Sequence, residues 1–286
     1  MSSNKPLSKS ERREAARAQA LALKQKQEAA DRRARLITLS VLGAVLAALV
    51  AVVVVLFVRD HQQTTASRVD TEDIPLSEVT TVPAGALPDG GIPIGTDRAA
   101  GGPQAEGVPT VGIYFDYMCP ICGEFERLNL ETIETFIAEG TANVVLYPVA
   151  ILDHASRDTQ FSTRSVAAFA WVADRAPEHA LDFHITMFEN EPAEGTPGHS
   201  NAEMADLARG AGVPEDVAAG IESGEAARTF GQWAFSATRA ATGNAALANP
   251  QTGGFGTPTV TLDGERWGGN WLEPGVLAQA VADAAE

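Results

Sequence analysis

Apolar positions along the chain follow three different patterns. The first is one block, LITLSVLGAVLAALVAVVVVLFV at residues 36–58, with no charge in it. At 1.5 Å per residue such a run reaches about 34 Å as a helix, enough to cross a bilayer core. It predicts a single membrane-spanning helix. A helix in a soluble core would need apolar partners on every side. TTA at 64–66 offers a weak cleavage site for a signal peptide, but the apolar run and the basic segment before it are both long for one.

The second pattern flanks that block and has no apolar face. Residues 8–35 are rich in Ala, Arg, Lys, Gln and Glu, with Ser8 and Glu11 at capping-box spacing, and predict a basic helix. Residues 59–84 are polar, rich in Thr and Pro and without period, which predicts a tether. The third pattern begins near residue 85 and has the periods of a folded domain. GGIPIG at 90–95 suggests a short edge strand and VPTVGIYFDY at 108–117 a buried one. Phe125, Leu128, Ile133, Phe136 and Ile137 fall near helical spacing over 119–137, and NVVLYPVAIL at 143–152 suggests a second central strand ending near Pro148.

A long helical stretch follows over roughly 160–242, interrupted at Pro177, EPAEGTPGHSN, GAGVP and SGE. TPTVTLDGERWGG then predicts a hairpin turning at Asp263-Gly264, and Pro274 a last helix to 284. The order is strand, helix, strand, helices, hairpin, helix. That is an α/β layer with a helical insertion at about 156–242. The expected organisation is a basic arm over 1–35, a membrane helix over 36–58, a tether over 59–84 and one domain over 85–286.

Charge sharpens this division. The net charge is −16, yet residues 1–35 carry ten basic against four acidic side chains, and the remainder 11 basic against 33 acidic. Arg32, Arg33 and Arg35 precede the apolar run, so the positive-inside rule places the N-terminus in the cytoplasm and the acidic domain outside. The basic arm is either solvated or drawn to anionic headgroups. The acidic domain argues against nucleic acid as a partner.

The chain has two cysteines, both in DYMCPIC at residues 116–122. Zinc would need two further ligands, and no second cysteine pair supplies them. Two thiolates beside Met118 would suit Cu(I), although no further Met or His cluster supports it. Dithiol redox chemistry fits the local physics best. A strand ending at Tyr117 and a helix starting at Pro120 make Cys119 the N-cap, with its sulfur facing free amides and the positive end of the helix dipole. Cys122 falls on the same face one turn in, where it can close a disulfide. A loop that short gains little from a covalent staple, so the bond is better explained as one that opens and closes.

These segments carry a family resemblance. FDYMCPICGEFE, a helical block, and FGTPTVTLDGERW resemble the membrane-anchored DsbA-like thiol–disulfide oxidoreductases of the thioredoxin superfamily, of the type found in actinobacteria; the likeness covers about residues 85–284. The resemblance implies a thioredoxin-like fold with a helical insertion, preceded by one transmembrane helix. It also implies a nucleophilic Cys119, a more buried resolving Cys122 and a cis bond between Thr257 and Pro258, where a substrate backbone would pair. No cofactor or metal is implied. The partners would be secreted or envelope proteins with cysteine thiols and a membrane protein that reoxidises the dithiol. A reductase or isomerase on the same fold, and a Cu(I)-carrying or redox-inactive binding module, are the alternatives.

Two features depart from that pattern. Ile121 stands where strongly oxidising relatives often carry histidine, so part of the thiolate stabilisation would be missing. Each lost pKa unit is about 1.4 kcal/mol, or about 30 mV for a two-electron couple. TGNAALANPQTGG at 242–254 is a longer approach to Thr257-Pro258 than a short glycine turn. Among other groups, Asp116 and Glu124 flank the motif and are candidates to relay a proton for Cys122. Phe183, His184, Met187 and Phe188 have core spacing. Asp153 and His154 have no Gly-x-Ser-x-Gly elbow to complete a hydrolase triad, and GGIPIG lacks the ending of a phosphate loop.

Overall fold

The structure, a computed structural model, describes residues 9–66 and 69–286. It divides into two units, Met1–Arg59 and Asp60–Glu286. In the first, the basic segment and the apolar run belong to one continuous helix, α1 (Lys9–Ala66). Neither segment contains a Gly or Pro able to stop it, apart from an isolated Gly43. Thr38–Val55 within α1 has a mean hydropathy of 2.8 and is wholly exposed, so it is long and apolar enough to cross a membrane. Ser8 of the expected capping box lies outside the described residues.

The second unit is a mixed five-stranded sheet with helices around it. Its strands are β1 (Ile92–Ile94), β2 (Thr110–Phe115), β3 (Asn143–Pro148), β4 (Thr259–Leu262) and β5 (Glu265–Arg266), in spatial order β1-β3-β2-β4-β5. Only β2 and β3 are parallel, in register Thr110↔Asn143 through Phe115↔Pro148. They are joined by α2 (Pro120–Glu139), as a parallel crossover requires. β4 lies antiparallel to the other side of β2, with Gly112 opposite Thr261. It brings the residues just before it alongside the C-terminal end of β2. Asp263 and Gly264 both have positive φ, 51° and 82°, and turn β4 back into β5.

The helical insertion comprises α3 (Phe161–Arg175), α4 (Ala180–Glu189), α5 (Asn201–Gly210), α6 (Glu215–Glu222) and α7 (Glu225–Gly243). α3 is buried on every face from Phe161 to Ala173, so it is the core of this layer rather than its cover. Phe183, His184, Met187 and Phe188 of α4 are all buried. Phe115 on β2 packs edge-on to Phe169, His184 and Phe188, which joins sheet and insertion in one hydrophobic core.

Two expectations need correction. The segment read as a tether over 59–84 is helical to Ala66 and docked on the domain from Val69 onward. Val69 is buried and exchanges two hydrogen bonds with the Gln160 side chain, at 3.0 and 3.1 Å. Gln232 and Ser236 hold the backbone of Glu72 and Ile74, and Asp174 accepts from Ala84 N at 2.9 Å. Side chains elsewhere hold this backbone, so its own sequence shows no period. The last helix, α8 (Val276–Ala284), starts two residues after Pro274, because Gly275 takes a left-handed φ of 82°. The 242–254 loop is anchored: Leu247 is buried among Tyr114, Val149 and Ala241, and its carbonyl accepts from Arg266 at 2.9 Å.

Candidate active site

The end of β2, the start of α2 and the approach to β4 converge on the two sulfurs. After Phe115 the chain turns tightly, with Cys119 N donating to the Asp116 carbonyl at 3.0 Å. Cys119 is extended (φ −93°, ψ 107°) and caps α2, and Pro120 occupies the first helical position, where no amide donor is needed. The Cys119 carbonyl then accepts from Cys122 N at 2.8 Å and Gly123 N at 3.2 Å. Cys119 keeps 6% of its surface accessible and Cys122 none. Both are free thiols, so this is the dithiol form. Ile121 projects outward, 53% exposed.

Across from the turn, the Thr257–Pro258 bond is cis, and the Thr257 carbonyl lies 3.5 Å from Cys119 Sγ. The two sulfurs are set apart in acidity. A hydrogen bond from Cys122 pulls the Cys119 thiol down to about 6 against the opposing effect of burial, and Thr257 and the amides of Cys122 and Ile121 assist. Burial, followed by the Cys119 sulfur, pushes the Cys122 thiol well up. One group is ready to ionise and the other to hold its proton.

Asp116 lies directly beneath this turn and is fully buried. Its carboxylate accepts from Met118 N at 2.9 Å, Leu152 N at 2.9 Å and Ser162 Oγ at 2.8 Å. Burial raises it to about 7 in spite of these donors. Asp153 accepts from Thr163 N and Thr163 Oγ1 and thereby closes the start of α3, while His154 is exposed.

A thioredoxin family model matches residues 94–273, which takes in the cysteine turn, the helical insertion and the Thr257-Pro258 strand. The chain belongs to the thioredoxin family. Within that family the fold is that of DsbA-like thiol–disulfide oxidoreductases. The reduced form of DsbA from Mycobacterium tuberculosis is 27% identical, with 68% of this chain and 91% of that one covered and a TM-score of 0.54. DsbG of the same organism, a disulfide bond oxidoreductase, is 28% identical, with 69% and 88% covered and a TM-score of 0.55. MdbA, a thiol-disulfide oxidoreductase from Actinomyces oris, shares the fold at 21% identity, with 77% and 97% covered and a TM-score of 0.55. In sequence, the serine/threonine-protein kinase PknE of Mycobacterium tuberculosis H37Rv is 29% identical over 180 residues, 60% of this chain and 29% of the kinase. The match thus spans under a third of the curated relative's length.

Two acids near the thioredoxin-family turn were not singled out in the sequence. Glu126 is buried one turn past Cys122, with its Oε1 3.2 Å from His184 Nε2; His184 Nδ1 is 3.1 Å from the Tyr117 hydroxyl. This buried chain of polar groups satisfies His184 at both ring nitrogens. A sequence signal existed for it: Glu126 shares the helix stripe of Cys122, Ile133 and Ile137, where a charge is out of place. The second acid, Glu191, follows α4 and reaches back over Gly123. Nothing in the loop sequence marked it. Glu124, by contrast, is exposed on α2.

Proposed function

We propose that this protein is an extracytoplasmic thiol–disulfide oxidoreductase that introduces disulfide bonds into secreted or envelope proteins, held at the membrane by residues 36–58 with its N-terminus in the cytoplasm. The observation that carries the reading is the pairing of an N-capping, acidic Cys119 thiol with a buried Cys122 thiol of raised pKa, beside Thr257.

In the oxidised protein a substrate thiolate attacks Cys119 Sγ, and the 119–122 bond breaks with its electron pair going to Cys122, which takes a proton. Burial of Cys122 favours that protonated form. Asp116, poised near neutrality under the turn, is the candidate to supply the proton. A second substrate thiolate then attacks the substrate sulfur of the mixed disulfide, and Cys119 departs as a thiolate. A thiol of low pKa is the better leaving group. Two substrate thiols become one disulfide, and the protein gains the two electrons. The Thr257 backbone, next to Cys119, is placed to pair with an extended substrate strand. A membrane partner would return the dithiol to the disulfide.

Direction is tested by the reduction potential of the full-length protein in detergent, equilibrated with glutathione. Because Cys119 is depressed to about 6 without help from a histidine at 121, the expected value is milder than DsbA, at about −120 mV, yet above about −200 mV. A value near that of thioredoxin, about −270 mV, would contradict the oxidase direction and favour a reductase.

A further inference from the structure

Glu191 stands out among the acids near the site because of where its carboxylate is held. It lies beyond α4 yet reaches over the first turn of α2. A Cβ added to Gly123 would meet Glu191 Oε2 at 2.0 Å and Arg127 Nη1 at 3.2 Å, so only glycine leaves room for the carboxylate there. Gly123 is itself part of the thiol turn, since its amide donates to the Cys119 carbonyl. Glu191 Oε1 is enclosed and makes no hydrogen bond. A carboxylate oxygen shut away without a donor favours protonation.

We propose that Glu191 is a positioning residue that takes up a proton when the Cys119–Cys122 disulfide is reduced, so that a thiolate at Cys119 replaces a carboxylate over Gly123 and the start of α2 keeps one negative charge throughout. The inference rests on the exchange reading for its biological use. The balance is complete. A substrate dithiol delivers two electrons and two protons; the electrons open the disulfide, one proton goes to Cys122 and the other to Glu191. Charge at the site is unchanged, a carboxylate before and a thiolate after.

The groups facing Glu191 support this. Cys119 and Arg127 approach from α2, Asp116 from the end of β2 and Glu194 from its own loop. Cys122 lies behind Cys119, His199 is bonded to the Asn190 carbonyl at 2.6 Å, and Arg157 donates to the Gly195 carbonyl. Burial first, and then the negative charge at Cys119, hold Glu191 up at about 7, with Arg127 pulling against them. The Cys119 contribution is absent once that sulfur is in a disulfide. Glu191 therefore binds its proton more tightly in the reduced form, which is the linkage the proposal requires.

The test compares wild type with Glu191→Gln, full length in detergent, in glutathione buffers from pH 5 to pH 8. At pH 5 Cys119, with a pKa of about 6, is a neutral thiol, so the charge that couples to Glu191 is absent and the two proteins should have equal equilibrium constants. As pH rises through about 7, wild type must carry carboxylate and thiolate together, and the variant should become the stronger oxidant by about tenfold, or about 30 mV. Gly123→Ala, which keeps the acid but displaces it, should diverge in the same sense, while Glu139→Gln, at the far end of α2, should not. A ratio of constants that stays flat across this range in both Glu191→Gln and Gly123→Ala overturns the proposal; a merely structural role would give that flat ratio. A flat ratio with normal substrate oxidation would sink this inference alone, whereas divergence without any substrate oxidation would sink the exchange reading alone.

Discussion

Serine in place of Cys119 should reduce disulfide formation in a reduced secreted substrate to the uncatalysed background, while alanine in place of Cys122 should leave a mixed disulfide when its Cys119 thiolate attacks the disulfide of the oxidised substrate. The asymmetry follows from the geometry. Cys119 is the sulfur with accessible surface, a depressed pKa and Thr257 beside it, so attack occurs there. A hydroxyl at that position cannot accept a substrate sulfur, and Cys122, with no accessible surface, cannot replace it. Without Cys122 the mixed disulfide loses its internal resolving thiol and persists. Non-reducing gels read both outcomes, after incubation of Cys119→Ser with reduced substrate and of Cys122→Ala with oxidised substrate. Equal activity of the two variants would mean that the sulfurs are not differentiated in the way the structure shows.

The second large effect concerns stability. Phe169→Ala should destabilise the domain by about 3–5 kcal/mol, the usual cost of emptying a large aromatic site. Phe169 has no accessible surface and stands within ring contact of Phe115, Tyr117 and His184. It joins the sheet that carries the cysteine turn to the insertion that covers it. Thermal unfolding should fall by roughly 6–20 °C for a domain of this size. Molecules that remain folded should keep the acidity of Cys119, because the groups that lower it, Cys122, Thr257 and the Ile121 amide, stay in place. A loss below about 1 kcal/mol would show that sheet and insertion are not one core.

Much of this site was visible in the sequence because it is local. The capping position of Cys119, the proline after it and the inward placement of Cys122 follow from seven consecutive residues and the rules for helix starts. The hairpin at Asp263-Gly264 and the breaks between the helices of the insertion were legible for the same reason. Long-range features were not. The docking of residues 69–84 depends on Gln160, Gln232, Ser236 and Asp174, which are distant in sequence and leave no period. Glu191 reaches the thiol turn only because α4 ends beside Gly123. Asp116 was singled out for its proximity, but its raised pKa comes from burial that the folded core alone creates. Glu124 was equally near in sequence and points to solvent. Neighbours along a chain share chemistry only when the fold turns them the same way.

The central claim is that Cys119 ionises near neutrality while Cys122 does not. Its most direct test is the rate of iodoacetamide alkylation at each cysteine of the reduced full-length protein, followed across pH by mass spectrometry. The thiolate is the reactive form, so the rate at Cys119 should rise as pH increases through about 6 and level off above it, with Cys122 unreactive throughout. A Cys119 rate that rises only through about 8.5, as for an unperturbed thiol, would contradict the account.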